Sequence, residues 1–174
     1  LFGSAVRWDL ADLELSAIED LDERIPALQK WMARAPQDPN GIIRLVELLA
    51  EAGRRDEALS LGRRLREQGL MTLKIARQLG DVLARAGLEG EATRTYSEIV
   101  EFDPKNTASR RLLGDIYLSR SWFEPAYRQY ASTAEAAPSD PLRWLRLATA
   151  AAGAGRVDEA LRLRTETAVP RFAP

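Results

Sequence analysis

The sequence predicts an all-α protein made of a two-helix unit repeated every 34 residues, and two columns of residues carry that reading. The first is an echo. Gly53-Arg54-Arg55-Asp56-Glu57-Ala58-Leu59 returns as Gly155-Arg156-Val157-Asp158-Glu159-Ala160-Leu161, three intervals of 34 later. Counted down by the same interval, Gly155 leads to Ser121, Gly87 and Gly53. Ala160 leads to Ala126, Ala92 and Ala58, and Leu147 to Leu113, Leu79 and Leu45, with no insertion or deletion. The second column is Ser4, Asp38, Thr72, Asn106 and Asp140. All five are residue types whose side-chain oxygen accepts the orphan N–H groups of a first helical turn. Pro39 and Pro141 follow two of them at the favoured first helical position.

Each unit reads as helix, turn, helix. In 73–106, Ile75, Ala76, Leu79 and Leu83 recur at helical spacing and Gly87 closes the first helix. Ala92, Tyr96, Ile99 and Val100 mark the second, with Pro104 beyond its end. In 107–140 the pattern is Leu113 and Tyr117, then Ala126 and Tyr130, with Pro138 after the stop. Helices this short are marginal alone and persist only if each hairpin buries its apolar face on the next. No alternating apolar pattern is long enough to argue for a sheet.

These residues resemble the tetratricopeptide repeat (TPR) family. Unit 73–106 matches with Leu79-Gly80, Leu83, Gly87, Ala92, Tyr96 and Pro104; unit 107–140 with Leu113-Gly114, Tyr117, Phe123, Ala126, Tyr130 and Pro138. Unit 141–174 supplies Trp144, Leu147-Ala148, Gly155, Val157 and Ala160, with Arg164 at the aromatic position. Unit 39–72 supplies Leu45, Leu49, Gly53 and Ala58, with Gly62 there. Residues 1–38 read as a degenerate repeat or cap: Trp8, Leu15 and Pro36 fit, while Asp12, Glu19 and Arg24 replace small residues. The resemblance implies a right-handed superhelix, an α-solenoid of stacked hairpins whose first helices line a concave groove.

Composition narrows the function. The 25 basic side chains face 26 acidic ones, so net charge offers no bulk attraction to nucleic acid or an anionic membrane. No Cys and no His remove thiol chemistry, the commonest general base and the commonest metal ligand. No Gly-rich phosphate loop precedes a Lys. No apolar run approaches the roughly 20 residues that span a bilayer. The expectation is therefore no enzyme, no cofactor and no metal. Compartment stays open; cytoplasm and periplasm both suit a chain without Cys.

The resemblance implies that exposed first-helix residues recognise a partner protein or peptide. Here they are Asn40, Ile43 and Glu47; Lys74, Arg77, Asp81 and Arg85; Arg111, Asp115 and Ser119; Leu142, Leu145 and Thr149. Arg77–Asp81 and Arg111–Asp115 each sit one turn apart, as an intrahelical ion pair worth ~0.2–0.5 kcal/mol or as a polar ladder for a bound peptide. The family's chaperone-tail clamp holds a terminal carboxylate with Lys and Asn at these two places. Asp81 and Asp115 would repel that ligand. The basic stretch Arg54, Arg55, Arg63, Arg64 and Arg66 reads as a solvated back. Trp8 and Trp144 are expected in the core. Trp31 is expected to be accommodated by Gly41 or Gly62, and Trp122 is a candidate exposed anchor.

The leading reading is an interaction module, an adaptor or scaffold. Its rivals are a structural spacer, and a regulatory repeat domain of a longer polypeptide. The chain begins at Leu1 rather than Met. No capping helix follows the helix that begins near Val157, so Leu161, Leu163, Val169 and Phe172 are expected near an uncovered end. Both features lead to the expectation of a segment of a longer chain that self-associates weakly through that end.

Overall fold

The structure is a computed structural model that describes residues 7–102, 104–134 and 141–168. The described residues form ten α-helices and no strand. They are α1 (Trp8–Ser16), α2 (Leu21–Met32), α3 (Pro39–Glu51), α4 (Arg55–Glu67), α5 (Leu73–Arg85), α6 (Glu89–Glu101), α7 (Thr107–Ser119), α8 (Phe123–Ala134), α9 (Pro141–Gly153) and α10 (Val157–Ala168). The chain divides into two compact units, Leu1–Glu98 and Ile99–Pro174. In the first, α1 packs on α2, α2 on α3, and α3 on both α4 and α5. In the second, α7 packs on α8, α8 on α9, and α9 on α10. Among the described residues, no helix is long and apolar enough to cross a membrane.

The cap column explains where first helices start. Asp38 accepts from the Asn40 amide (2.9 Å), Thr72 from Ile75 (3.3 Å), and Asn106 from Ala108 (2.9 Å) and Ser109 (3.3 Å). Each bond satisfies a donor that the helix itself leaves unpaired. Ser4 and Asp140 lie outside the described residues. A further cap, Asp20, opens α2 by accepting from Asp22.

The turns repeat as faithfully. After α3, α5, α7 and α9 the chain closes with the same backbone bond, from Arg54 to Leu49, Leu88 to Leu83, Trp122 to Tyr117 and Arg156 to Ala151. This closure needs a left-handed residue just past the helix. Gly53, Gly87 and Gly155 supply it at φ 73, 72 and 79°; between α7 and α8 Ser121 is forced to φ 59°.

The core is built from two columns. Leu45, Leu79, Leu113 and Leu147 are 0–6% exposed, and Ala58, Ala92, Ala126 and Ala160 are 0–5% exposed. A buried leucine contributes about 1.5–3 kcal/mol, and small alanines let the paired helices close on it. Some contacts are tighter still. A Cβ placed on Gly80 would collide with the Tyr96 ring, and one on Gly114 with the Tyr130 ring. Gly153 likewise receives Phe123, and Gly41 receives the Trp8 ring and Met32. The expectation for Trp31 is thus corrected. Trp8 sits on Gly41 because α1 brings it there, while Gly62 faces the tip of Leu79. Trp31 is half-buried, donates to Glu14 (3.0 Å) and stacks under Arg34. Trp8 and Trp144 are also half-buried rather than fully in the core.

Two stability predictions follow from these backbones. A left-handed conformation costs an L-residue about 1–2 kcal/mol, partly offset by the greater freedom glycine gains when unfolded. Ser121→Gly should therefore raise the unfolding free energy by ~0.5–1 kcal/mol in urea titration. Gly80→Ala should lower it by about 1–3 kcal/mol, because the added methyl displaces the Tyr96 ring. Gly90→Ala, whose Cβ meets nothing within 4 Å, is the control and should not destabilise.

Candidate interaction face

The first helices carry the candidate residues, and their own hydrogen bonds sort them. In the unit Leu1–Glu98, Asn40 spends its side-chain amide on the Asp38 cap (2.9 Å). Ile43 is only 7% exposed, so the expectation that it faces a partner is corrected: its side chain belongs to the core. Glu47 pairs with Arg85 (2.5 Å), linking α3 to α5, as Arg44 pairs with Asp12 (2.6 Å) to link α3 to α1. In the second unit, Arg146 on α9 pairs with Asp115 on α7 (3.1 Å). Ser119 and Thr149 turn their hydroxyls back to the carbonyls of Ile116 and Leu145 (both 2.9 Å).

Asp81 and Asp115 do not serve as i,i+4 partners for the arginines before them. Each accepts a hydrogen bond from a tyrosine hydroxyl on the second helix of its own hairpin: Tyr96 to Asp81 (2.6 Å) and Tyr130 to Asp115 (2.7 Å). The geometry follows from the glycine one residue earlier. The ring packs directly on Gly80 or Gly114, and its hydroxyl reaches the next side chain. Sequence reasoning missed this bond, although the signal was present. Gly, Asp and Tyr occur together in both middle units and are lost together in the flanking ones, as Val46, Glu47, Gly62 and as Ala148, Thr149, Arg164.

What remains at the surface is mostly cationic and apolar. Lys74, Arg77 and Arg111 are exposed, and among the described residues neither arginine forms an ion pair. Leu142 and Leu145 are 58% and 51% exposed. Trp122 is half-buried rather than exposed, its ring 5.9 Å from that of Tyr117. The first unit also holds a cleft of about 230 Å³, with Leu15, Leu28 and Leu48 as its apolar floor and Asp12, Arg44 and Glu47 at its rim. Among the described residues, no group of three or more His, Cys, Asp or Glu could hold a metal ion.

The tyrosines carry the clearest electrostatic signature. Burial pushes the Tyr117 hydroxyl up to about 12. Tyr130 is raised further, by burial first and then by its bond to the Asp115 carboxylate. Tyr127 is raised by its hydrogen bond to Glu159 (2.7 Å) and by burial.

No protein-family model matches the chain, and no curated protein matches its sequence. Solved structures do match in fold. A crystal structure of MamA protein aligns over 91% of this chain and 86% of its own, at 18% identity and TM-score 0.51. YrrB, described as a TPR protein with an unusual peptide-binding site, aligns over 94% and 84% at 16% identity and TM-score 0.50. The structure of Naa15/Naa10 bound to HypK-THB aligns over 93% of this chain but 25% of the matched one, at 15% identity and TM-score 0.55, so the chain spans a quarter of that length. The likeness is one of fold: an all-α, TPR-like stack of helical hairpins.

The raised tyrosines make alkaline pH a probe of the hairpins. An unfolded tyrosine ionises near 10, whereas the folded ones resist until higher pH. Their protons therefore stabilise the fold fully below about pH 10, and that contribution is lost as pH rises from there through the folded values. Urea stability should fall between about pH 10 and 12, and fall less steeply in Tyr117→Phe. A pH-independent stability over that window would contradict the assignment.

Proposed function

We propose that the chain is a protein-interaction module that binds a partner protein or peptide along the face of its first helices. The observation that carries this reading is the pairing pattern. Arg77 and Arg111 occupy the same place in successive units, are exposed, and have lost the neighbouring carboxylate to a tyrosine. An exposed cation kept at the same repeat position in each, without an internal partner, does little for folding. It suits recognition of a partner's carboxylates or backbone carbonyls, since guanidinium presents a planar fork of donors. Lys74 adds a third cation on the first unit, while Leu142, Leu145 and Thr149 supply a more apolar strip on α9. Glu47, Arg85, Asp81, Asp115 and Ser119 hold the face in shape through the bonds described above. Asn40 does so through its cap. In fold the chain resembles YrrB, whose description names a peptide-binding site. A role without catalysis accords with a sequence that lacks His and Cys.

The test is a comparative pull-down with the wild-type chain and with Arg77→Ala/Arg111→Ala. The double variant should lose the specific partner while its unfolding free energy changes by no more than about 0–1 kcal/mol, as for exposed ionic side chains. Retention of the same partner at the same affinity would remove these arginines from the binding face.

A further inference from the structure

The first hairpin departs from the repeat at three places, and the departures meet in the cleft of about 230 Å³ that α1, α2 and α3 line. Counted by the 34-residue interval, Asp12 stands where Gly80 and Gly114 receive a ring, and Leu28 stands where Tyr96 and Tyr130 supply it. Arg24 stands in the column of Ala58, Ala92, Ala126 and Ala160. All three line the cleft. The small alanines let paired helices close, whereas Arg24 is half-buried and donates from Nε to the Ile18 carbonyl (2.7 Å) in the turn between α1 and α2. Asp12 turns to Arg44 (2.6 Å). Leu28 has no ring, and with Leu15 and Leu48 it forms a buried apolar floor. The cleft is thus the room that a tyrosine ring fills in the middle hairpins, left open where a leucine replaces it. The last hairpin supports this cause: with Ala148 and Arg164 in the same two columns, it too has a cleft lined by both. In the α3–α4 hairpin Leu79 reaches Gly62 instead.

Size and charge select the occupant. An apolar cavity of about 150 Å³ holds one benzene ring, so this cleft admits a six-membered ring. It is smaller than the roughly 300–1,000 Å³ of sites for drug-sized ligands. Most of its rim charges are already engaged: Asp12 with Arg44, Glu47 with Arg85, and Arg24 with a carbonyl. The exception is Glu51, which is exposed and, among the described residues, makes no hydrogen bond or ion pair. It ends α3, where the helix dipole disfavours a carboxylate, and no basic residue accompanies it in the last turn. Its charge therefore does nothing for the helix that carries it. A free carboxylate beside a ring-sized apolar cleft matches a phenol, just as Asp81 and Asp115 accept from Tyr96 and Tyr130. We propose that this cleft binds a tyrosine side chain of a partner protein or peptide, with its ring on Leu15, Leu28 and Leu48 and its hydroxyl donated to Glu51. The proposal rests on the reading of the chain as an interaction module and adds a site that uses neither Arg77 nor Arg111.

The test is an NMR titration of the whole chain, labelled at its leucine methyls, with N-acetyl-tyrosinamide and separately with N-acetyl-phenylalaninamide. The tyrosine probe should give saturating shifts at Leu15, Leu28 and Leu48 in the millimolar range. It should bind about three- to tenfold more tightly than the phenylalanine probe, the worth of one hydrogen bond. Glu51→Ala, an exposed position, should bring the two probes to parity. Leu28→Phe, which supplies a ring from within, should abolish the shifts at Leu15 and Leu48; circular dichroism verifies its helicity, and Glu51→Ala decides the matter if that variant does not fold. The titration should be unchanged in Arg77→Ala/Arg111→Ala, so failure of the arginine face and failure of the cleft read out separately. Shifts that are absent, as when another segment of the chain or a second copy already fills the cleft, would overturn the proposal. So would equal affinity for the two probes in the wild type, or a preference for tyrosine that survives Glu51→Ala.

Discussion

In each of the two middle hairpins, one tyrosine ring occupies the space in which a β-carbon would stand, and its hydroxyl is tied to the carboxylate beside that space. Gly80, Asp81 and Tyr96 form one such lock; Gly114, Asp115 and Tyr130 form the other. The lock sets how closely first and second helices approach. A larger residue than glycine excludes the ring, and loss of the ring leaves a void that a close-packed interior tolerates poorly. A hydrogen bond to an ionised acceptor, half shielded from water, is also among the stronger ones available to a side chain. The α3–α4 hairpin fills the same space by other means. Val46, fully buried, stands where the glycine would be, and Gly62 where the tyrosine would be, with Leu79 reaching in from the next helix.

The lock bears on the proposed interaction face through charge. By claiming Asp81 and Asp115, the tyrosines leave Arg77 and Arg111 exposed. The other charges on the first helices are largely spent joining neighbours, as in Arg44–Asp12, Arg85–Glu47 and Arg146–Asp115. The second helices have a counterpart in Arg66, which reaches both Glu98 (2.6 Å) and the buried Thr95 (2.7 Å). A stack of this kind gains its stability from nearest-neighbour contacts, so polar residues without a neighbour to join are the ones available to a partner.

What the sequence made legible was whatever repeats at a fixed interval. The starts of α3, α5, α7 and α9, the caps of the first three and the left-handed turn positions are properties of one residue and its local backbone, and each column carries them unaided. Ser121 stood out as the exception in the glycine column, and the structure holds it in the same left-handed turn. Pairings between residues about 15 or 32 apart were not legible, because they depend on which rotamer a long side chain adopts after the helices pack. Hence Arg77 and Asp81 look like an ion pair in sequence, although the aspartate faces a tyrosine. Ile43 looks like a surface residue because its equivalents are Arg77, Arg111 and Leu145, yet it is buried. Trp31 and Gly41 looked complementary, but the ring on Gly41 belongs to Trp8.

The most direct measurement is a double-mutant cycle on one lock, with Tyr130→Phe and Asp115→Asn made singly and together and unfolded in urea. Asp115 also meets Arg146, so only the coupling between the two substitutions isolates the tyrosine–carboxylate bond. The account predicts a coupling of about 1.5–3 kcal/mol, the range for a hydrogen bond to a charged group. Additive losses within about 0.5 kcal/mol, the scatter between independent sites, would show that the two residues do not act as a unit and that the hairpin is held by its apolar columns alone.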